Sequence, residues 1–102
     1  MSKRRVSIRL LRAAEEDLNE ILEYIAVDNP KAAEATLEHI QRTLTLLTRR
    51  PHLGRIPTDE ELVRMGYRVL VVGDYLAFYT LEDRSVLVHR IIHGARDYLR
   101  LL

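Results

Sequence analysis

The chain has no cysteine, so a disulfide framework, a thiolate metal site and a cysteine nucleophile are all excluded. That absence fits a reducing cytoplasm, the location expected here. Nor is there an apolar run long enough for a signal peptide or a membrane span, since the basic start Lys3-Arg4-Arg5 leads into the acidic stretch Glu15-Glu16-Asp17 without one. Internal repeats, low-complexity segments and linkers are missing as well. Lysine is scarce: Lys3 and Lys31 leave 14 of the 16 basic residues as arginine. Arginine favours planar, bidentate contacts with phosphate or carboxylate over diffuse attraction.

What is present bounds the architecture. The 102 residues are expected to form one domain, 1–102, large enough for a single hydrophobic core but too small for a cofactor-binding unit beside a substrate-binding one. No cofactor is expected. The net charge of +1 conceals a segregation that matters more than the sum. The first twelve residues carry five bases and no acid; residues 13–38 carry eight acids against Lys31 alone; from Arg84 onward Arg84, Arg90, Arg96 and Arg100 face only Asp97.

Periodicity gives the order of elements. Val6 to Leu11 alternates as a short strand. Ala14, Leu18, Ile21, Leu22 and Ile25 then recur at helical spacing opposite Glu15, Glu16, Asp17, Asn19, Glu20 and Glu23, which predicts a helix from Arg12 or Ala13 to Val27. Asn29 is placed to cap a second helix and Pro30 suits its first position. That helix carries Ala33, Leu37, Ile40, Leu44 and Leu47 inward and should stop near Arg49, because Pro51 disfavours helical geometry at Arg50. A turn-rich loop, Pro51 to Thr58, and a possible helical turn at Asp59 to Arg64 come next. Three strands end the pattern, Tyr67–Val72, Tyr75–Glu82 and Val86–His93; the links Gly73-Asp74 and Asp83-Arg84-Ser85 are short enough for an antiparallel meander. The fold class is α+β: a strand, a long helical hairpin, a three-stranded meander and a short C-terminal helix or tail.

The richest chemistry lies where the last strand leaves the sheet. His93 can move a proton near neutral pH, Arg96 can stabilise charge on a phosphate and Tyr98 can donate a hydrogen bond, a set suited to phosphodiester chemistry. Local capping and ion pairing is the alternative use. Arg68 and Arg90 sit inside apolar strands, where each needs solvent, a bound anion, or a carboxylate or backbone carbonyl at the sheet's edge. Alternation puts Arg68 with Leu70 and Val72, and Arg90 with Val86, Val88 and Ile92. Arg49, Arg50, His52 and Arg55 make a second basic cluster, the first two also suited to a helix C-terminus. Tyr67, Tyr75 and Tyr79 fit core packing better than base stacking, and His39 and His89 lack the spacing of a metal site.

The chain as a whole resembles the RelE/ParE superfamily of bacterial toxins from type II toxin–antitoxin systems. The resemblance rests on Asp17-Leu18, Tyr24-Ile25, Asn29-Pro30 with Ala32-Ala33, Pro51-His52-Leu53-Gly54, then Arg68, Tyr75, Tyr79 and the run Arg90 to Asp97. Order and spacing carry it rather than any one motif. It implies a helical hairpin packed on a curved antiparallel sheet, and a cognate antitoxin whose extended C-terminal segment covers the toxin in a hetero-oligomer.

Two branches divide the superfamily. RelE-like members cleave messenger RNA on the ribosome; ParE-like members inhibit DNA gyrase. The long hairpin, the closing run Arg90 to Asp97 and a sheet without lysine resemble the ParE branch more. On that reading DNA gyrase is the target, with Arg68, Arg90 and Arg55 as phosphate- or target-binding residues. On the RelE-like alternative the chain is an endoribonuclease with ribosome and messenger RNA as partners and His93, Arg96 and Tyr98 as catalytic residues. A relative that only binds its antitoxin is a third reading. In every case Glu16, Glu20 and Glu23 on the first helix are the expected antitoxin contacts, and no metal or membrane is implicated.

Overall fold

A computed structural model describes residues 6–94. The tail expected after Gly94, with Arg96 and Tyr98, lies outside the described residues. The elements run β1 (Ser7–Leu10), α1 (Arg12–Asp28), α2 (Pro30–Thr45) continued by a 3-10 turn (Leu46–Thr48), α3 (Glu60–Arg64), β2 (Arg68–Val72), β3 (Tyr75–Glu82) and β4 (Ser85–His93). The alternation and helical spacing of the sequence thus mark real elements, within a residue or two at most ends.

Local chemistry explains the boundaries. Asn29 caps α2 by accepting the Ala32 N–H at 3.1 Å, with Pro30 at the first helical position. Asp59 caps the short α3 in the same way, accepting from Leu62 N–H at 3.1 Å. Between β2 and β3, Gly73 takes φ +60°, a left-handed conformation that glycine adopts without a Cβ clash.

The sheet is ordered β1-β4-β3-β2. β2, β3 and β4 form the expected antiparallel meander, while β1 pairs with β4 in parallel, Ser7 opposite Ser85 through Leu10 opposite Val88. β4 is therefore interior for its first half only. Beyond Val88 it has lost β1 as a neighbour, and α1 takes that place.

One face of the sheet packs on the helices. Ala14 of α1, Ile40 and Leu44 of α2 and Leu47 of the 3-10 turn meet Leu70, Val72, Ala77, Tyr79, Val86, Val88 and Ile91 in the main core. A smaller cluster on the other face joins Leu62, Tyr67, Val69, Phe78 and Ile92.

The face assignment of β4 needs correction. The β3–β4 register jumps from Phe78 opposite Arg90 to Tyr79 opposite Val88, which leaves His89 as an extra residue in a β-bulge. Simple alternation puts Ile92 on the same face as Val86 and Val88. The bulge reverses this, so Ile91 continues the helix-facing core and Ile92 joins the opposite cluster.

Candidate functional site

Three arrangements of polar side chains stand on this frame, and the first lies where β4 outruns β1. Asp17 of α1 accepts from Arg90 Nε at 2.7 Å and from Arg90 Nη2 at 2.8 Å, a bidentate pair. The same carboxylate accepts the backbone N–H of Ile91 at 2.9 Å. It thus satisfies a strand donor that has no neighbouring strand, and it fixes the bulge against the helix. Asp17 and Arg90 side chains are only 12% and 23% exposed. The hydrogen bond and charge of Asp17 hold the Arg90 guanidinium even more firmly protonated than usual, with Glu20 and Glu16 adding to the effect against the cost of burial.

Around this pair lies a depression of about 190 Å³ lined by Asp17, Glu20, Ile21, Tyr75, Arg90, Ile91, Ile92 and His93. His93 is exposed and meets the edge of the Tyr75 ring at a centroid distance of 5.6 Å. His93, Tyr75 and Arg90 converge here, a different set from the His93, Arg96 and Tyr98 expected from sequence, of which the last two lie outside the described residues. Asp17 and Glu20 converge with them; Asp17 is neutralised by Arg90, so Glu20 is the carboxylate left to disfavour a phosphate and attract a cation.

The second arrangement fixes the loop after α2. Tyr79 is fully buried, yet its hydroxyl donates to Pro51 O at 2.8 Å and accepts from Gly54 N–H at 2.9 Å. Burial raises its pKa, against which the Gly54 hydrogen bond and the Arg68 charge work. Arg68 Nη1 donates to Gly54 O at 2.9 Å and to His52 O at 3.3 Å. A Cβ on Gly54 would stand 2.8 Å from the Tyr79 ring and 2.9 Å from Val69 O, so the approach of loop to sheet requires glycine. Arg55 then forms a bridge with Val69, N–H to O at 2.8 Å in both directions. Pro51-His52-Leu53-Gly54 is thus the segment that the sheet holds by its carbonyls.

The third arrangement occupies the face away from the helical hairpin. His89 is held at both ring nitrogens, Nδ1 3.3 Å from the Tyr67 hydroxyl and Nε2 2.8 Å from Thr80 Oγ1. Burial lowers its pKa and Glu82 opposes that. On the same face a groove of about 290 Å³ is lined by Arg55, Ile56, Pro57, Thr58, Val69, Leu76 and Phe78.

The residues singled out from sequence therefore fall into distinct places. Arg68 and Arg90 take the internal option, the first on backbone carbonyls and the second on a carboxylate. Arg55 is exposed. Glu16, Glu20 and Glu23 are all exposed on α1, beside Tyr24 and Val27, which are 81% and 83% exposed. Sequence reasoning gave Asp17 no role in the site and His89 none at all. An acid three residues after the buried Ala14 was a legible hint for Asp17; the bulge that recruits His89 left no mark in the pattern.

Comparison with known proteins follows the same lines. The model of the ParE toxin of the type II toxin–antitoxin system parDE matches residues 8–98. The chromosomal ParDE toxin–antitoxin system from P. aeruginosa contains a chain with 20% identity and a TM-score of 0.72, covering 87% of this chain and 96% of that one. A chain of the RelBE2 toxin–antitoxin complex from Mycobacterium tuberculosis has 22% identity and a TM-score of 0.59, covering 87% and 98%. At those identities the likeness is one of fold. No curated protein matches the chain.

Proposed function

Because the chain belongs to the ParE toxin family of type II toxin–antitoxin systems, we propose that it arrests growth by inhibiting DNA gyrase and that a cognate antitoxin neutralises it by covering α1. The family match over residues 8–98 carries the gyrase reading. The depression beside Arg90 supports it from the other direction, since the Arg90 cation is already taken up by Asp17 and Glu20 opposes the bound phosphate that a nuclease centre at His93 would need.

For the antitoxin, the motivating observation is the outer surface of α1. Glu16, Glu20 and Glu23 surround the exposed Tyr24 and Val27. A partner segment combining apolar side chains with arginine or lysine matches that surface in both respects, and one of its cations fits beside Glu20. Aromatic anchors ringed by charge are the usual carriers of binding energy in such contacts.

The test is induction in bacteria with and without the antitoxin gene, combined with supercoiling by purified gyrase. Loss of supercoiling, with DNA breaks and intact transcripts, is the expected outcome. Unimpaired gyrase with codon-phased transcript cleavage would overturn it and move attention to His93, Arg96 and Tyr98. Absence of toxicity alongside normal antitoxin binding would instead favour the relative that only binds its partner.

A further inference from the structure

The basic loop after α2 enters that reading only through Arg55, an expected phosphate- or target-binding residue, which leaves Arg49, Arg50 and His52 without a part in it. Arg49, Arg50, His52 and Arg55 are all exposed, and no ion pair joins any of them to a carboxylate among the described residues. The acids that follow in sequence are largely engaged: Asp59 caps α3 and Glu61 pairs with Arg64 at 2.8 Å. A charge run in a loop is ordinarily a solvated, mobile surface with no specific partner. This loop differs because its backbone is fixed from beneath.

The fixation also sets the sign of the surface. The carbonyl oxygens of Pro51, His52 and Gly54, the negative ends of their peptide dipoles, point inward to Tyr79 and Arg68. Leu46 O accepts from both Arg49 N–H at 3.2 Å and Arg50 N–H at 3.0 Å, and Arg50 O accepts from Leu53 N–H at 3.0 Å, which closes the turn. Arg55 is anchored by its double bridge to Val69. The carbonyls are thus turned in while three arginine side chains and His52 project from a short, rigid segment. Complementing the end of the 3-10 turn accounts for Arg49 and Arg50, yet it leaves His52 and Arg55, which lie beyond it, unexplained.

We infer that the loop from Arg49 to Arg55 is a docking surface for the phosphodiester backbone of nucleic acid. Planar guanidiniums on a preordered backbone suit phosphate oxygens, and preordering removes part of the entropic cost of binding. The inference is independent of how the toxin acts on its target. It places the phosphate contacts on Arg49, Arg50 and Arg55 and leaves Arg68 as a positioning residue beneath them.

Fluorescence anisotropy with the full chain tests it, using a labelled 20-base-pair DNA duplex and, in a second arm, a single-stranded RNA of 20 nucleotides, each over a salt series. Three backbone contacts predict a slope of log affinity against log salt of about −3 on duplex DNA and about −2 on single strands. The variant R49A/R50A/R55A should weaken binding at least tenfold and flatten the slope, while R49K/R50K/R55K should stay within a few-fold of the parent chain. A control variant, R9A/R12A/R84A, removes the same charge from exposed positions elsewhere and should retain most of the affinity. Circular dichroism verifies that each variant is folded. Loop-dependent binding in either arm supports the inference, and the tighter arm identifies the nucleic acid. An equal loss in the control variant, or no binding by the parent chain at low salt, overturns it; growth arrest and gyrase inhibition, read separately, report on the proposed target.

Discussion

The two ends of the helical hairpin are finished differently. At its base, Ala14, Ile40, Leu44 and Leu47 are 0–5% exposed and meet the sheet in the main core. Toward the tip, from residue 22 to residue 36, only Ala33 is buried, while Tyr24 and Val27 stand almost fully in solvent. Both ends have helical periodicity, but only one has something to pack against. The base holds the fold together, and the tip presents an apolar and acidic surface that the chain itself does not use.

The largest effect that would expose this difference comes from the base. Leu47→Ala removes a fully buried side chain where the hairpin meets the sheet and should cost about 2–5 kcal/mol, measured by urea denaturation. Asp17→Ala, one turn beyond Ala14 in α1, should follow at about 3 kcal/mol, because it leaves the largely covered Arg90 guanidinium without its carboxylate and Ile91 N–H without an acceptor. The exposed pairs Arg42–Glu38 and Arg64–Glu61 provide the contrast, since breaking either should shift the midpoint by well under ~1 kcal/mol. If Asp17→Ala cost no more than these, the bidentate pair would not be what secures the hairpin base to β4.

Next in size is the loop fixed at the β2 edge of the sheet. Tyr79→Phe keeps the ring in the core but strands Pro51 O and Gly54 N–H, for a loss of about 1–3 kcal/mol by the same denaturation. Proteolysis of the loop should speed up in parallel, because the substitution releases the loop before it disturbs the core. Uniform loss of protection across the whole chain would contradict that order.

How much of this was legible follows from what each feature depends on. The hairpin, the cap at Asn29 and the three-stranded meander follow from local spacing and turn chemistry, and sequence alone identifies them. The bulge at His89 depends on how β3 and β4 share their hydrogen bonds, so alternation placed Arg90 and Ile92 on the face of Val86 and Val88, to which they do not belong. Arg68 and Arg90 were legible as arginines in need of partners, but those partners, the carbonyls of residues 52 and 54 and the carboxylate of Asp17, lie 14 to 73 positions away. Long-range pairing of this kind leaves no periodic trace. The exposure of Tyr24 and Val27 was hidden for a simpler reason: sequence shows where a helix is apolar, not where the rest of the chain stops covering it.

His89 offers a pH-dependent effect on the face away from the hairpin. Burial between Tyr67 and Thr80 depresses its pKa below the ordinary value of 6.5, so the unfolded chain takes up the proton first. Its contribution is therefore complete above pH 6.5 and is lost as pH falls from there towards the depressed folded value. His89→Gln should be flatter than the parent chain in a melting series from pH 7.5 to pH 5.5. Parallel curves for the two would show that His89 does not set the slope.

The smallest effect on stability comes from the tip, and there the comparison is sharpest. Tyr24→Ser and Val27→Ser remove exposed side chains that touch no core, so each should move the unfolding free energy by less than ~0.5 kcal/mol. On the proposed reading, titration calorimetry with the cognate antitoxin should nevertheless show each weakening the complex by about 1–2 kcal/mol, roughly fivefold to thirtyfold in Kd. Glu20→Lys should weaken it further by setting like charge against the partner's cations, and added salt should narrow that gap because the interaction is exposed. Leu47→Ala should reverse the pattern, with a large loss of stability and an unchanged affinity in whatever fraction remains folded. If instead the tip variants bind antitoxin as tightly as the parent chain does, its exposed tyrosine and valine are solvent-facing residues and the antitoxin contact lies elsewhere on the toxin.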